Sequence, residues 1–463
     1  MTTLTEAPSR TAAGSGAGWL LLATTGAGVV NYAYALVLTH GLTPREYAAF
    51  AAGQALLMVR AAVSGAGIPW ILARELGRAP HDRLRHALVT TFAFWANVAL
   101  GLVLTAVLAG AVLIFGGVRD AAVVAAASLV MSVGSTGMGY LQGTGRMELI
   151  AALLTLEALV KAGTGVALVF AAQLGSTGAL AGFVAGSLVL LVPVPLFRRL
   201  VARPRWRKAE TGLLLAALRQ TRMQANVAVA AAGDTVLVGV LGLATAGGAP
   251  WQAASALGRV PLFAANAVST ATFPQLSRDG SAVRKAGALR SYLLVGTLMA
   301  GALVTLPAEI RSLVFPEEFA AVGDWLPYAA VLGLAIGLLN LCVTFLQADD
   351  ARGHAATWLT GITVGYLILV ALAAAGFGVA GLAAGSAGAA LLAVGALALL
   401  PAVRPGWRAL LSSRRDLRDL GAVLAVVAVL AVLGSPVWWF AVAAVAGVAV
   451  LAGSFPELVR RRR

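Results

Sequence analysis

QALLMVRAAVSGAGIPW, residues 54–70, holds an arginine, Arg60, at the middle of a run that is otherwise small and apolar. If the run crosses a bilayer, a charge at that depth costs about 2.5 to 17 kcal/mol depending on the reference state, and the surrounding structure has to offset it. Composition indicates that it does cross one. Of 463 residues 60% are hydrophobic and 11% charged, with a mean hydropathy of +0.88, whereas soluble domains run roughly 45–50% apolar and about 25% charged. Apolar runs recur from Gly18 to Phe455 with no soluble block between them, so the chain reads as an all-α, multi-pass integral membrane protein. The single cysteine, Cys342, lies in an apolar run; it excludes an intramolecular disulfide and reads as a small buried hydrophobe.

About fourteen apolar segments succeed one another, most of them near the ~20 residues that span a hydrocarbon core. Among them are 18–39, 250–275, 356–376, 378–401 and 420–434. Residues 1–16, rich in Thr, Ser, Ala and Gly, read as a disordered cytoplasmic tail. The first segment is longer than a signal-peptide core and reads as an uncleaved anchor. The organisation expected is a six-helix lobe at 17–200, a cytoplasmic amphipathic linker at 201–221 and a second six-helix lobe at 222–403. A basic loop follows at 404–419, then a helix pair with a basic tail at 420–463.

With the N-terminus assigned to the cytoplasm and the segments alternating, 26 of the 34 basic residues fall in inside loops, and only Arg45, Arg119 and Arg311 in outside ones. That asymmetry is the positive-inside signature, and it places both termini in the cytoplasm. The formal charge of +15 then describes contact with anionic membrane lipids, at about 1 kcal/mol per basic residue near the surface. No basic domain interleaved with aromatics points to nucleic acid.

Two outside loops share the order Pro, any residue, Glu, aromatic, Ala, Ala: Pro44 to Ala49 and Pro316 to Ala321. Each reads as a helix start with proline at the first helical position, and in the first Thr43 and Glu46 form a capping box. A weaker echo runs from Tyr47 to Pro69 and from Trp251 to Pro274, at offsets of 204 and 205 residues. Such spacing fits two parallel six-span lobes related by an axis along the membrane normal.

HGLTPREYAAFAAGQALLM, residues 40–58, resembles the first-loop pattern of the polysaccharide flippases within the multidrug/oligosaccharidyl-lipid/polysaccharide exporter superfamily. The resemblance continues over residues 233–278, where Asp234, Gly239, Gly242, Trp251 and Pro274 fall where the family's seventh and eighth helices place such residues. LVFPEEFAAVGDWLPYAAVLGLAIGLLN and LQADDARGH follow its ninth-to-eleventh-helix pattern; the inserted Gly247-Gly248-Ala249-Pro250 is a departure. The resemblance implies a V-shaped transporter of two six-helix lobes plus two C-terminal helices, not an enzyme. It would move a polyprenyl-diphosphate-linked oligosaccharide or related glycan precursor across the bacterial cytoplasmic membrane by alternating access. A lipid-linked glycan is then its substrate, a glycan polymerase or glycosyltransferases are candidate partners, and a monomer suffices.

Charges at depth are the candidate site. Arg60 lines up by helical spacing with Gly53, Ser64 and Gly67, and Arg259 with Gln252, Ser255 and Asn266, while Asn31 and Thr24 sit in the first span. Arg60 and Arg259 suit a diphosphate, because a guanidinium fork matches phosphate oxygens and stays charged; the alternative is structural pairing with carbonyls or an acid. Asn31, Asn266 and Lys161 complete the substrate-binding set. Glu157 and Lys161, four residues apart, can neutralise each other on one face or take part in substrate or proton handling. Asp234, on a face with Asn226 and Ala230, is the candidate for ion coupling together with Glu157, since family members often carry an acid at its position. Arg60, Lys161 and Arg259 against Glu157 and Asp234 leave one surplus positive charge, which favours an anionic cargo over the alternative, a cation-coupled multidrug exporter of the same fold.

Enzyme signatures are weak. Gly14 to Gly18 follows no strand, the four histidines show no metal spacing, and Asp349-Asp350 reads as a solvated turn beside Arg352. Neither a metal nor a cofactor is called for.

Overall fold

The computed structural model describes residues 23, 26–78, 82–204, 208–276, 279–349 and 354–454, and every regular element among them is helical. The chain divides between Ala225 and Asn226 into two compact units. Ten described helices are long and apolar enough to cross a membrane, as expected where no water is present to satisfy an irregular backbone. The protein is a multi-pass integral membrane protein.

The first unit runs through α1 (Gly26–Leu38), α2 (Pro44–Ala66), α3 (Ile68–Arg78), α4 (Arg83–Phe115), α5 (Gly117–Gly143), α6 (Met147–Phe170), α7 (Gly175–Val189) and the short α8 (Val194–Phe197). Local chemistry starts α2. Pro44 occupies its first turn, the Glu46 amide donates to Thr43 Oγ1, and the Thr43 amide donates to the Glu46 carboxylate at 3.0 Å. Thr43→Ala is expected to lower stability by about 1 kcal/mol, the usual worth of such a cap, read as an earlier unfolding midpoint in detergent. Gly67 separates α2 from α3. A side chain there would stand 2.0 Å from Thr221 Oγ1, so only glycine lets α9 (Lys208–Val240) lie against the break.

The boundary between the units falls inside α9. The expected linker is therefore not a separate element, because its described C-terminal part is the first turns of α9. Leu213, Leu214 and Ala217 of this stretch join the hydrophobic cluster of Ile68, Ile71 and Leu72 of α3.

The second unit continues with α10 (Gly248–Gly258), α11 (Pro261–Leu276), α12 (Ala282–Val304), α13 (Ala308–Val314), α14 (Val322–Ala348), α15 (His354–Ala398), α16 (Arg404–Ser412), α17 (Arg414–Val432) and α18 (Pro436–Ser454). α14 is its axle, packed against α10, α11, α12 and α15. Gly333 lets it touch α10 backbone to backbone, since a Cβ there would meet the Gly258 carbonyl at 1.6 Å.

Among the described residues ten helices pass as spans where about fourteen segments were expected, with α15 counted once, and particular residues account for much of the difference. The segment at 250–275 is broken into α10 and α11 around Arg259 and Val260, because Pro261 has no amide to continue the ladder. The segments at 356–376 and 378–401 are two helices within α15: at Gly378 (φ 60°, ψ −140°) the backbone leaves helical geometry and the chain folds back, so that Gly381 and Gly385 stand against Ala373. The one at 420–434 belongs to α17, whose first turns carry Arg414, Arg415, Asp416, Arg418 and Asp419. Of the first segment, the helix described is the short Gly26–Leu38. The second proline loop also differs: Pro316 caps a single 3₁₀ turn, Glu317–Phe319, and α14 starts only at Val322.

Candidate functional site

In the first unit the polar chemistry gathers where α2 meets α4 and α5. Arg60 is 1% exposed, and its Nη2 donates to Ser132 Oγ at 2.6 Å. Gly101 on α4 makes room for that serine, since a Cβ there would overlap it. Ser132 donates in turn to the Ser128 carbonyl, Thr105 donates to Ser128 Oγ at 2.7 Å, and Asn97 Nδ2 to Thr136 Oγ1 at 2.9 Å. The set is incomplete: Arg60 Nε and Asn97 Oδ1 are buried without a hydrogen-bond partner. No described carboxylate pairs with Arg60. A buried cation held by one hydroxyl keeps most of its desolvation cost, and is thereby ready to attract an anion.

Lys161 and Glu157 on α6 form an ion pair at 3.1 Å, with the ammonium 4.9 Å from the centre of the Phe183 ring on α7. This pair is local and neutral.

In the second unit α9 meets α10 around Asp234, which is fully buried. Arg259 Nη2 reaches Asp234 Oδ1 at 2.8 Å and Thr235 Oγ1 at 2.6 Å, Ser255 donates to Asp234 Oδ2 at 2.5 Å, and Gln252 Nε2 donates to the Thr235 carbonyl at 2.8 Å. Arg259 is the residue at which α10 ends, so the helix break and the ion pair share one residue.

The remaining candidates lie elsewhere. Asn266 is on α11, beyond that break, and accepts from Asn340 Nδ2 of α14 at 2.9 Å; one turn on, Thr344 donates to Ser269 at 3.0 Å. The expected alignment of Arg259 with Asn266 is thus interrupted by the end of α10. Asn31 is half-buried on α1, Asn226 donates to Thr360 of α15, and Thr24 lies outside the described residues. Spacing gave no sign of Ser132 or Thr235 as arginine partners, because their contacts cross between helices. Lys285 was hidden for another reason. It reads as one more inside-loop cation, yet it is 3% exposed and holds Asp349 Oδ2 and the Ala402 carbonyl, each at 2.7 Å. Asp349 lies in an exposed turn, as expected, and is in addition the ion-pair partner of Lys285; Asp350 lies outside the described residues.

Two compact helical units, each with charges buried among its helices, define a polytopic membrane protein. Residues 13–279 match the family described as polysaccharide biosynthesis protein, and the chain belongs to that family. No curated protein sequence matches it. Its fold is similar to that of the lipid II flippase MurJ in an inward closed conformation, with a TM-score of 0.68 and 13% identity over 95% of this chain and 99% of that one. It is also similar to an inward-facing multidrug resistance MATE family transporter of the MOP superfamily, with a TM-score of 0.60 and 15% identity over 86% and 96%. A third is a MOP superfamily transporter from Pyrococcus furiosus whose binding pocket is described as of reverse polarity, with a TM-score of 0.54 and 15% identity over 89% and 96%.

Proposed function

We propose that the chain is a flippase that moves a polyprenyl-diphosphate-linked oligosaccharide, or a related glycan precursor, across the bacterial cytoplasmic membrane by alternating access of two six-helix lobes, 17–200 and 222–403. The observation that carries this reading is the location of the surplus charge. Among the five ionisable residues that the apolar runs single out, Lys161 is matched by Glu157 and Arg259 by Asp234, whereas Arg60 has no described carboxylate partner. A buried guanidinium without a carboxylate partner suits an anionic phosphate and repels a cationic drug. The family's description, in polysaccharide biosynthesis, and the fold shared with a protein named a lipid II flippase support the same reading.

Asp234 and Arg259 take complementary parts in it. A diphosphate arriving at Arg259 competes with Asp234 for the same Nη2 donor, and a carboxylate so released becomes free to take up a proton or a cation. Asn31, Asn266 and Lys161 are the further substrate contacts of this proposal, and Glu157 the second coupling acid.

Purified protein in liposomes, given either a fluorescent polyprenyl-diphosphate oligosaccharide or a lipophilic cationic dye, discriminates the readings. Translocation of the first and not the second is expected. Dye transport with no movement of the glycolipid would establish the cation-coupled multidrug exporter instead.

A further inference from the structure

The segment from Arg404 to Arg418 is a surface that the transport reading leaves unused. α16 and the first turns of α17 present Arg404, Arg408, Arg414, Arg415 and Arg418, all exposed. Arg404 and Arg408, and Arg414 and Arg418, are like charges four residues apart, a spacing that destabilises a helix unless a counter-charge is supplied. The segment's own acids do not supply it in full. Asp416 and Asp419 turn inward to Arg290 of α12, at 3.1 and 2.6 Å, and the Arg290 hydrogen bond holds the Asp419 carboxyl below its usual range. What remains is a weak approach of Arg418 to Asp419 at 3.7 Å.

This surface is rigidly mounted. Gly406 is buried against Lys285 and Leu289 of α12, where a Cβ would meet Lys285 Cβ at 2.7 Å, and Lys285 ties down the Ala402 carbonyl just before α16. Between the arginines stand two exposed leucines, Leu411 at 61% and Leu417 at 44%, and from Leu420 onward α17 is apolar. Guanidinium groups alternating with exposed aliphatic side chains at the point where a helix turns apolar mark the headgroup level of a bilayer.

We propose that the α16–α17 elbow is a binding surface for anionic phospholipid headgroups, whose phosphates lie between the two arginine pairs while Leu411 and Leu417 enter the acyl boundary. Cationic side chains near such a surface each favour acidic lipid by a factor of up to about five, and the elbow offers five of them with both nearby carboxylates engaged. This surface is independent of what is transported.

The full-length protein in nanodiscs of phosphatidylcholine with a minor share of phosphatidylglycerol tests it, through the lipid that remains bound on detergent extraction, measured by mass spectrometry. Phosphatidylglycerol is expected to be enriched about tenfold over its share of the bilayer, falling to about twofold when all five arginines are replaced by glutamine. The exposed Arg198, Arg199 and Arg203 of the first unit, replaced together by glutamine, serve as the control and should retain the enrichment. Unchanged enrichment in the five-fold variant, or an equal loss in the control, overturns the proposal. Wild-type protein provides a reading that needs no variant, since enrichment that is unaffected by 0.5 M salt, where screening is about 4 Å, is not electrostatic and overturns it as well.

Discussion

On the proposed function, Arg60→Ala is expected to reduce glycan export by about 100-fold or more, while the protein remains at its normal level in the membrane. The magnitude follows from two charge-assisted hydrogen bonds to a phosphate at about 1.5–3 kcal/mol each. Protein level is preserved because Arg60 has no carboxylate to strand: its described side-chain partner is the Ser132 hydroxyl, which can fall back on the Ser128 carbonyl. Removing an unpaired buried cation also removes its desolvation cost, so the thermal midpoint should stay level or rise. Arg60→Lys keeps the charge but loses the fork and should recover only part of the export. Export measured in cells beside an immunoblot decides the matter. Wild-type export from Arg60→Ala would eliminate the diphosphate role, and a collapse of protein level with export per molecule intact would make the arginine a structural strut.

Arg259→Ala has the opposite signature. It leaves the Asp234 carboxylate fully buried with Ser255 and Thr235 as its described neighbours, and breaking one side of such a pair costs about 3–5 kcal/mol. The variant should lose stability and export together, and Asp234→Asn combined with Arg259→Gln should restore stability but not export. If Asp234 is the coupling acid, Asp234→Asn alone shifts the pH or sodium dependence of transport. An unchanged profile would confine the residue to holding Arg259. Unfolding in detergent, followed for the single and double variants, separates the two: equal stabilities across the set would show that the pair contributes nothing to the fold.

Where the sequence was legible, it was legible for a local reason. Thr43, Pro44 and Glu46 lie within one turn, so their cap could be read from spacing alone, and Glu157 with Lys161 is the same case. Arg60 and Asp234 could be singled out because an ionisable group in an apolar run is rare and costly. Their partners could not. Ser132 lies 72 residues from Arg60 and Arg259 lies 25 from Asp234, and nothing in helical periodicity relates positions on different helices. Lys285 was obscured because its loop is basic throughout, and only its burial beside Asp349 distinguishes it.

The amino-acid sequence by itself determined that this chain crosses a membrane many times as helices, because backbone groups in hydrocarbon have to be satisfied within each span, and it singled out the ionisable residues that stand inside apolar runs. Tertiary structure decided which of those charges are neutral. Pairing depends on side chains meeting across separate helices, which settled Arg259 on Asp234 and left Arg60 to a hydroxyl. It also decided where helices end: Pro261 stops one span in its middle, while Gly378, at φ 60° and ψ −140°, turns the chain back between two helices. A proline removes a donor wherever it stands, but whether a glycine ends a helix depends on whether the tertiary structure asks it for a positive φ.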